Sequence, residues 1–161
     1  MMSMPDVMNP FNSITTCLNN AGIQYSVEVP GRTLVGSFIL RNAHASTEFR
    51  IVCINGFVIN YTTLRSEIIT PTDSVNAFMN LVNTQLACGC FEFVSGPAFR
   101  FRYGMPSIVF QETMPSVTMS LVQLPSLTFD RYLPWFREIH ANTMPYADVV
   151  ARCFNISSAV N

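Results

Sequence analysis

The sequence predicts an α+β fold: an antiparallel sheet of about five to six strands with helices packed on it, in the order helix, strands, helix, hairpin, helix. Three observations predict it. The stretches between Ile23 and Leu64 alternate apolar and polar residues with turn residues between them. Asn55-Gly56 separates two of these stretches, and this pair favours hairpins because both turn residues take positive φ. The segments before and after them carry apolar residues at helical spacing.

In chain order, PDVMNPFNSITTCLNNAGI reads as a helix that Pro10 can begin and Gly22 can end. Phe11, Ile14, Cys17 and Leu18 form its apolar stripe. In IQYSVEV, Ile23, Tyr25, Val27 and Val29 alternate with Gln24, Ser26 and Glu28, the pattern of a half-buried strand. Pro30-Gly31 is a turn. A second strand runs from Thr33 to Arg41, and Asn42 to Ser46 is a polar loop holding His44. Strands from Glu48 and from Phe57 complete a four-stranded meander. Thr72 or Asp73 can cap a helix on which Val75, Phe78, Met79, Val82 and Leu86 share a face and which ends near Gly89. Phe91–Phe93 and Phe99–Tyr103 form a hairpin around Ser95-Gly96-Pro97. Prolines 106, 115 and 125 punctuate the next stretch, where Val117–Val122 reads as a short edge strand or a turn of helix. Leu127–His140 reads as a helix that Pro134 kinks or nearly starts, and Tyr146–Phe154 as a last helical piece.

Residues 1–161 are expected to form a single domain, since no linker, repeat or low-complexity tract interrupts them. Hydrophobic residues make up 49% but charged residues only 12%, about half the usual share. That leaves apolar surface for an interface and favours a homodimer or complex over a monomer. The net charge of −1 supplies no field toward nucleic acid or an anionic membrane, and no long uncharged apolar run suggests a span. MMSMPDVMNP has no basic flank and no apolar run, so no secretory signal is read there. All nine basic residues are arginine. Without lysine the chain cannot house a Walker-A loop, a Schiff base, a pyridoxal cofactor or a kinase site.

Cys17, Cys53, Cys88, Cys90 and Cys153 are odd in number and irregular in spacing, which favours reduced thiols and a cytoplasmic location. Cys88-Gly89-Cys90 lacks the second ligand pair of a structural zinc site and is not a C-x-x-C motif. The two cysteines are expected to pack on either side of a bend at Gly89. Alternation sends Phe99, Phe101 and Tyr103 to one face and Arg100 and Arg102 to the other, so rings and charge do not combine into a base-stacking platform. No G-x-S-x-G occurs, and FREIH lacks the second histidine of H-E-x-x-H. Asp130 and Glu138 are expected on a solvated helix face. The sequons at Asn60 and Asn155 are the number expected by chance in an Asn- and Thr-rich chain.

The helix ending VNTQLACGCFEF, the hairpin GPAFRFRYGMP and the later FDRYLPWFREI resemble the YbjN-type family of bacterial proteins, described as sensory transduction regulators. The matching residues are Asn83, Gly89 and Phe91, then Phe99, Arg100, Phe101, Arg102 and Pro106, then Asp130, Tyr132 and Pro134. The resemblance covers Val82 to Glu138 as residues. It implies a fold similar to type III secretion chaperones, often dimeric, and protein binding rather than catalysis. The low acidic content and the proline-rich stretch Ser107–Leu124 depart from it. The expected function is a non-catalytic regulatory or chaperone-like protein that binds a polypeptide partner, with no cofactor, metal, nucleic acid or membrane. Arg100 and Arg102 are the candidate contact residues, and solubilising an edge strand is their bland alternative. The rival functions are a small-molecule binder or an unrecognised enzyme with a pocket between sheet and helices, and a purely oligomerising subunit.

Overall fold

The structure is a computed structural model of the protein and describes residues 9–54, 56–95, 98–110 and 115–154. Asn55, Gly96, Pro97 and the sequon at Asn155, all named above, lie outside these. The elements are α1 (Pro10–Asn20), β1 (Tyr25–Val29), β2 (Thr33–Leu40), β3 (Ala45–Ile54), β4 (Phe57–Leu64), α2 (Asp73–Gln85), β5 (Cys90–Val94), β6 (Ala98–Pro106), a 3-10 turn (Ser107–Phe110), α3 (Pro115–Ala141) and α4 (Tyr146–Cys153). The fold is α+β. The strands form one six-stranded antiparallel sheet in the order β1-β2-β3-β4-β6-β5.

Pro10 and Thr72 stand at the starts of α1 and α2 as the sequence predicts, and an Asn9 cap not foreseen in the sequence precedes Pro10. The Asn9 side chain accepts the Phe11 amide at 3.1 Å, and Pro10 needs no acceptor at the first helical position. Thr72 Oγ1 accepts the Val75 amide at 3.3 Å to open α2. Strand alternation then divides the sheet into two faces. Leu34, Phe49, Ile51, Val58, Phe91, Phe99 and Phe101 point to the helix side and are fully or almost fully buried. All four helices pack on that side, and among the described residues none packs on the other.

The helix side holds two apolar clusters. Phe11, Ile14 and Leu18 of α1 meet β2–β4 and the first turns of α3 at one end. Phe78 and Val82 of α2 and Val149 of α4 meet β5, β6 and the later turns of α3 at the other. Here Phe91 and Phe99 each meet Phe129 and Phe136, with Phe91–Phe129 edge-on at 5.0 Å and Phe99–Phe136 at 4.8 Å. Among the described helices, only α3 reaches both clusters.

Two expectations about α3 are corrected. Val117–Val122 is not an edge strand; the helical alternative holds, and the turn belongs to the beginning of a 27-residue helix. Pro134 does not lie near that helix's start: α3 begins at Pro115 and runs through both Pro125 and Pro134. The physical reason lies partly in β4. Pro125 has no N–H, so the Leu121 carbonyl one turn earlier loses its helical donor. Asn60, fully buried on β4, donates through Nδ2 to that carbonyl at 2.9 Å and to the Val122 carbonyl at 3.5 Å. Thr62 Oγ1 donates in turn to Asn60 Oδ1 at 3.1 Å. A side chain used and buried in this way also cannot receive a glycan in the folded protein.

Replacing Asn60 by Ala removes the substitute donor and should lower stability by about 1–3 kcal/mol in urea unfolding. Pro125→Ala restores the missing N–H, so the cost of Asn60→Ala should shrink in that background. A double-mutant cycle with no coupling would contradict this account.

Candidate functional site

The uncovered face of the sheet carries the two candidate arginines. Arg100 and Arg102 are neighbours on the outer side of β6. Arg100 Nε binds Glu92 Oε1 at 2.7 Å, and its guanidinium lies 4.4 Å from the centre of the Tyr61 ring. Arg102 reaches Glu92 Oε2 at 3.9 Å and Cys90 Sγ at 3.9 Å, and it is half exposed. The Cys90 sulfur, and after it the Glu92 carboxylate, raise the Arg102 pKa. On the same face Arg50 pairs with Glu28 at 3.1 Å and Arg65 with Glu48 at 2.7 Å. This half of the face is a lattice of matched charges.

The other half is apolar. Register places Ile54 beside Phe57 and Pro106, and Val52 beside Ile59 and Gly104. Phe57 is 53% exposed. The outer face therefore runs from paired ions to bare hydrocarbon across a few strand residues. On the inner side, Phe99 and Phe101 are 1% and 0% exposed, so no aromatic platform faces solvent there.

The cysteines depart from expectation. Gly89 does sit at the bend with φ +73°, and a Cβ there would lie 2.5 Å from the Phe101 ring. Cys88, however, is exposed, and Cys90 is half-buried on the outer face rather than packed in the core. Alternation gives the inward place to Phe91, which displaces Cys90 to the other side. Burial pushes the Cys53 and Cys153 thiols up to about 11 and also raises Cys17. Among the described residues no three His, Cys, Asp or Glu side chains gather where a metal could sit. His140 pairs with Thr70, and Tyr103 and Cys90 lie on opposite faces of the sheet, so Tyr103, His140 and Cys90 do not converge.

Polar groups missed in the sequence organise the sheet margins. Asn83 on α2 accepts the Phe91 amide at 2.8 Å and donates to the Phe91 carbonyl at 2.9 Å. Its amide thus stands where a further strand would pair with β5 and blocks that edge at Phe91. Asp130, expected on a solvated face, accepts the amides of Asn42 and Ala43 at 3.0 and 2.8 Å. Two turns along α3, Arg137 donates to the Ala43 carbonyl while chelating Glu67. Held from both sides, the Arg41–His44 turn keeps Ala43 fully buried and His44 at a positive φ of 48°. Beside this turn a groove of about 340 Å³ runs between β2 and α3, lined by Phe38, Leu40, Arg41, Gln123 and Leu127 among others.

Compared with known proteins, the chain matches no family model, and no curated protein or solved structure matches it significantly. In this structure Asn83, Gly89, Phe91, Asp130 and Tyr132, residues that carry the family resemblance, block an edge, make a bend, fill the core or pin a turn.

Thiol reactivity checks these assignments. With Ellman's reagent at pH 8 the folded protein should expose Cys88 first, while Cys53 and Cys153, only about a thousandth ionised, wait for unfolding. The pH dependence follows in sign. A folded-state thiol pKa raised to about 11 keeps its proton where the unfolded chain has lost it. Their contribution is full below about pH 9 and is lost as pH rises toward 11, so the urea midpoint should fall over that interval.

Proposed function

We propose that the protein is a non-catalytic regulatory or chaperone-like module that binds a polypeptide partner through the uncovered face of its sheet. The observation that carries this reading is the division of that face into an apolar half at Ile54, Phe57 and Ile59 and a matched-charge half at Arg100, Arg102 and Glu92. Hydrocarbon beside satisfied charge suits another polypeptide surface. A nucleic acid would need guanidiniums not already neutralised by carboxylates, and these arginines have acidic partners.

The small-molecule alternative is disfavoured by how the space between sheet and helices is used. Phenylalanine rings fill its centre, leaving the groove between β2 and α3 at the sheet margin, and among the described residues no buried side-chain polar atom lacks a partner. The five cysteines are free, which supports a reducing, cytoplasmic setting. No helix among the described residues is long and apolar enough to cross a membrane. The family resemblance points the same way, toward protein binding and regulation.

The test is affinity capture from the native host with mass spectrometry, beside light scattering on the pure protein. One stoichiometric partner should be recovered. Phe57→Asp should weaken its capture about tenfold or more, and Arg102→Glu should weaken it less. Both side chains are exposed enough for these variants to fold. A partner retained equally by both variants, or a monomer that retains nothing, sinks the proposal. A dimer that Phe57→Asp converts to monomer assigns the face to a second copy instead.

A further inference from the structure

The strand edge beside the pinned turn is open, and its chemistry specifies what closes it. β1 pairs with Thr33–Gly36 only. Before Tyr25 the chain turns away toward α1, where the Ile23 amide bonds the Leu18 carbonyl at 3.0 Å. Among the described residues, Ser37–Leu40 therefore pair with β3 on one side and with no strand on the other. Alternate residues there point backbone N–H and C=O groups outward, and only another extended backbone satisfies such a row. The opposite edge of the sheet is blocked by Asn83 and offers no equivalent at Phe91.

Side chains around this edge match the same occupant. The groove places Phe38 and Leu40 on the strand against Gln123 and Leu127 on α3, and Leu127 is 63% exposed. Ile39, on the outer side of the edge, is 83% exposed. A strand laid here would cover apolar groups on both of its faces. At the far end stands Arg41, which enters none of the ion pairs among the described residues. Asp130, the acid nearest in the groove, is already spent on the Asn42 and Ala43 amides.

We infer that Ser37–Leu40 is a strand-addition site for an extended peptide of another protein, paired antiparallel to β2 and in line with β1, with an acidic residue at Arg41 preceding alternating apolar residues. The antiparallel direction continues that of β1 and places the peptide's leading end at Arg41. A second copy of this chain does not fit. Two-fold pairing of two Ser37–Leu40 edges would drive the β1 strand of each copy onto the Arg41–His44 turn of the other. The peptide source is thus a partner, and the inference rests on the polypeptide-binding reading while naming a different contact.

The probe is a phage-displayed library of random dodecapeptides panned on the full-length protein, followed by anisotropy titration of the enriched peptides. The expected consensus is an acidic residue followed by alternating apolar residues. N-methylation of the edge-facing peptide amides should weaken binding about tenfold or more, because it removes donors while leaving side chains in place. Leu127→Asp should do the same, and Arg41→Glu should erase the acidic preference, with unchanged circular dichroism in both. No enrichment over bare support, binding indifferent to N-methylation, or binding indifferent to Leu127→Asp overturns the inference. A partner captured through Phe57 with no enriched peptide sinks this site alone. Enriched peptides that meet these criteria, with no dependence of capture on Phe57, sink the outer-face reading alone.

Discussion

The amide of Asn60 holds the architecture in one piece. A 27-residue helix containing two prolines is a poor helix in isolation, since each ring removes a donor and crowds the preceding turn. Here the carbonyl exposed by Pro125 sits over the middle of the sheet, where β4 offers a buried side-chain donor. The helix is thereby fixed in rotation and position at the point between the two apolar clusters. Everything on either side follows from that placement: the phenylalanine cluster beyond Phe129, and the packing of α1 against Leu121 and Val122.

The same device recurs at the margins. Asn83 replaces a missing strand, Asp130 replaces a missing acceptor for a turn, and Arg137 with Glu67 holds the turn's carbonyl. Each polar side chain takes up backbone groups that regular structure leaves unpaired. This explains how a chain with so few charges stays specific. Its polar residues are concentrated at irregularities, and its outer face is left with matched ions and hydrocarbon. At the edge of Ser37–Leu40 the described residues supply no such substitute.

Much of this was legible. Period-two alternation located the strands, and the inward set of Phe99 and Phe101 is correct to the residue; β1 is the exception, expected half-buried but with Val27 and Val29 47% and 42% exposed, because no described helix covers either of its faces there. The cap at Thr72 obeys local rules. Cys88 and Cys90 were misplaced because the thiol's size suits either side of a bend, and only the competing bulk of Phe91 decides. Val117–Val122 was ambiguous because a short β-branched run between prolines satisfies strand and helix patterns alike. Of the candidate site, Arg100 and Arg102 were assigned to the correct face, but their shared tie to Glu92 across the hairpin was not foreseen.

Local order was thus written in the chain: strand and helix identity, inward and outward residues, and the chemistry that an all-arginine, low-charge composition forbids. These depend on neighbours within a turn or two, where spacing alone sets geometry. The length of α3, the blocked edge at β5, the open edge at β2 and the pinned Arg41–His44 turn came only from the folded arrangement. Each rests on a pairing between groups far apart in the chain, such as Asn60 with Leu121 or Asp130 with Ala43. No periodicity encodes a bond of that kind, because its partner is chosen by packing.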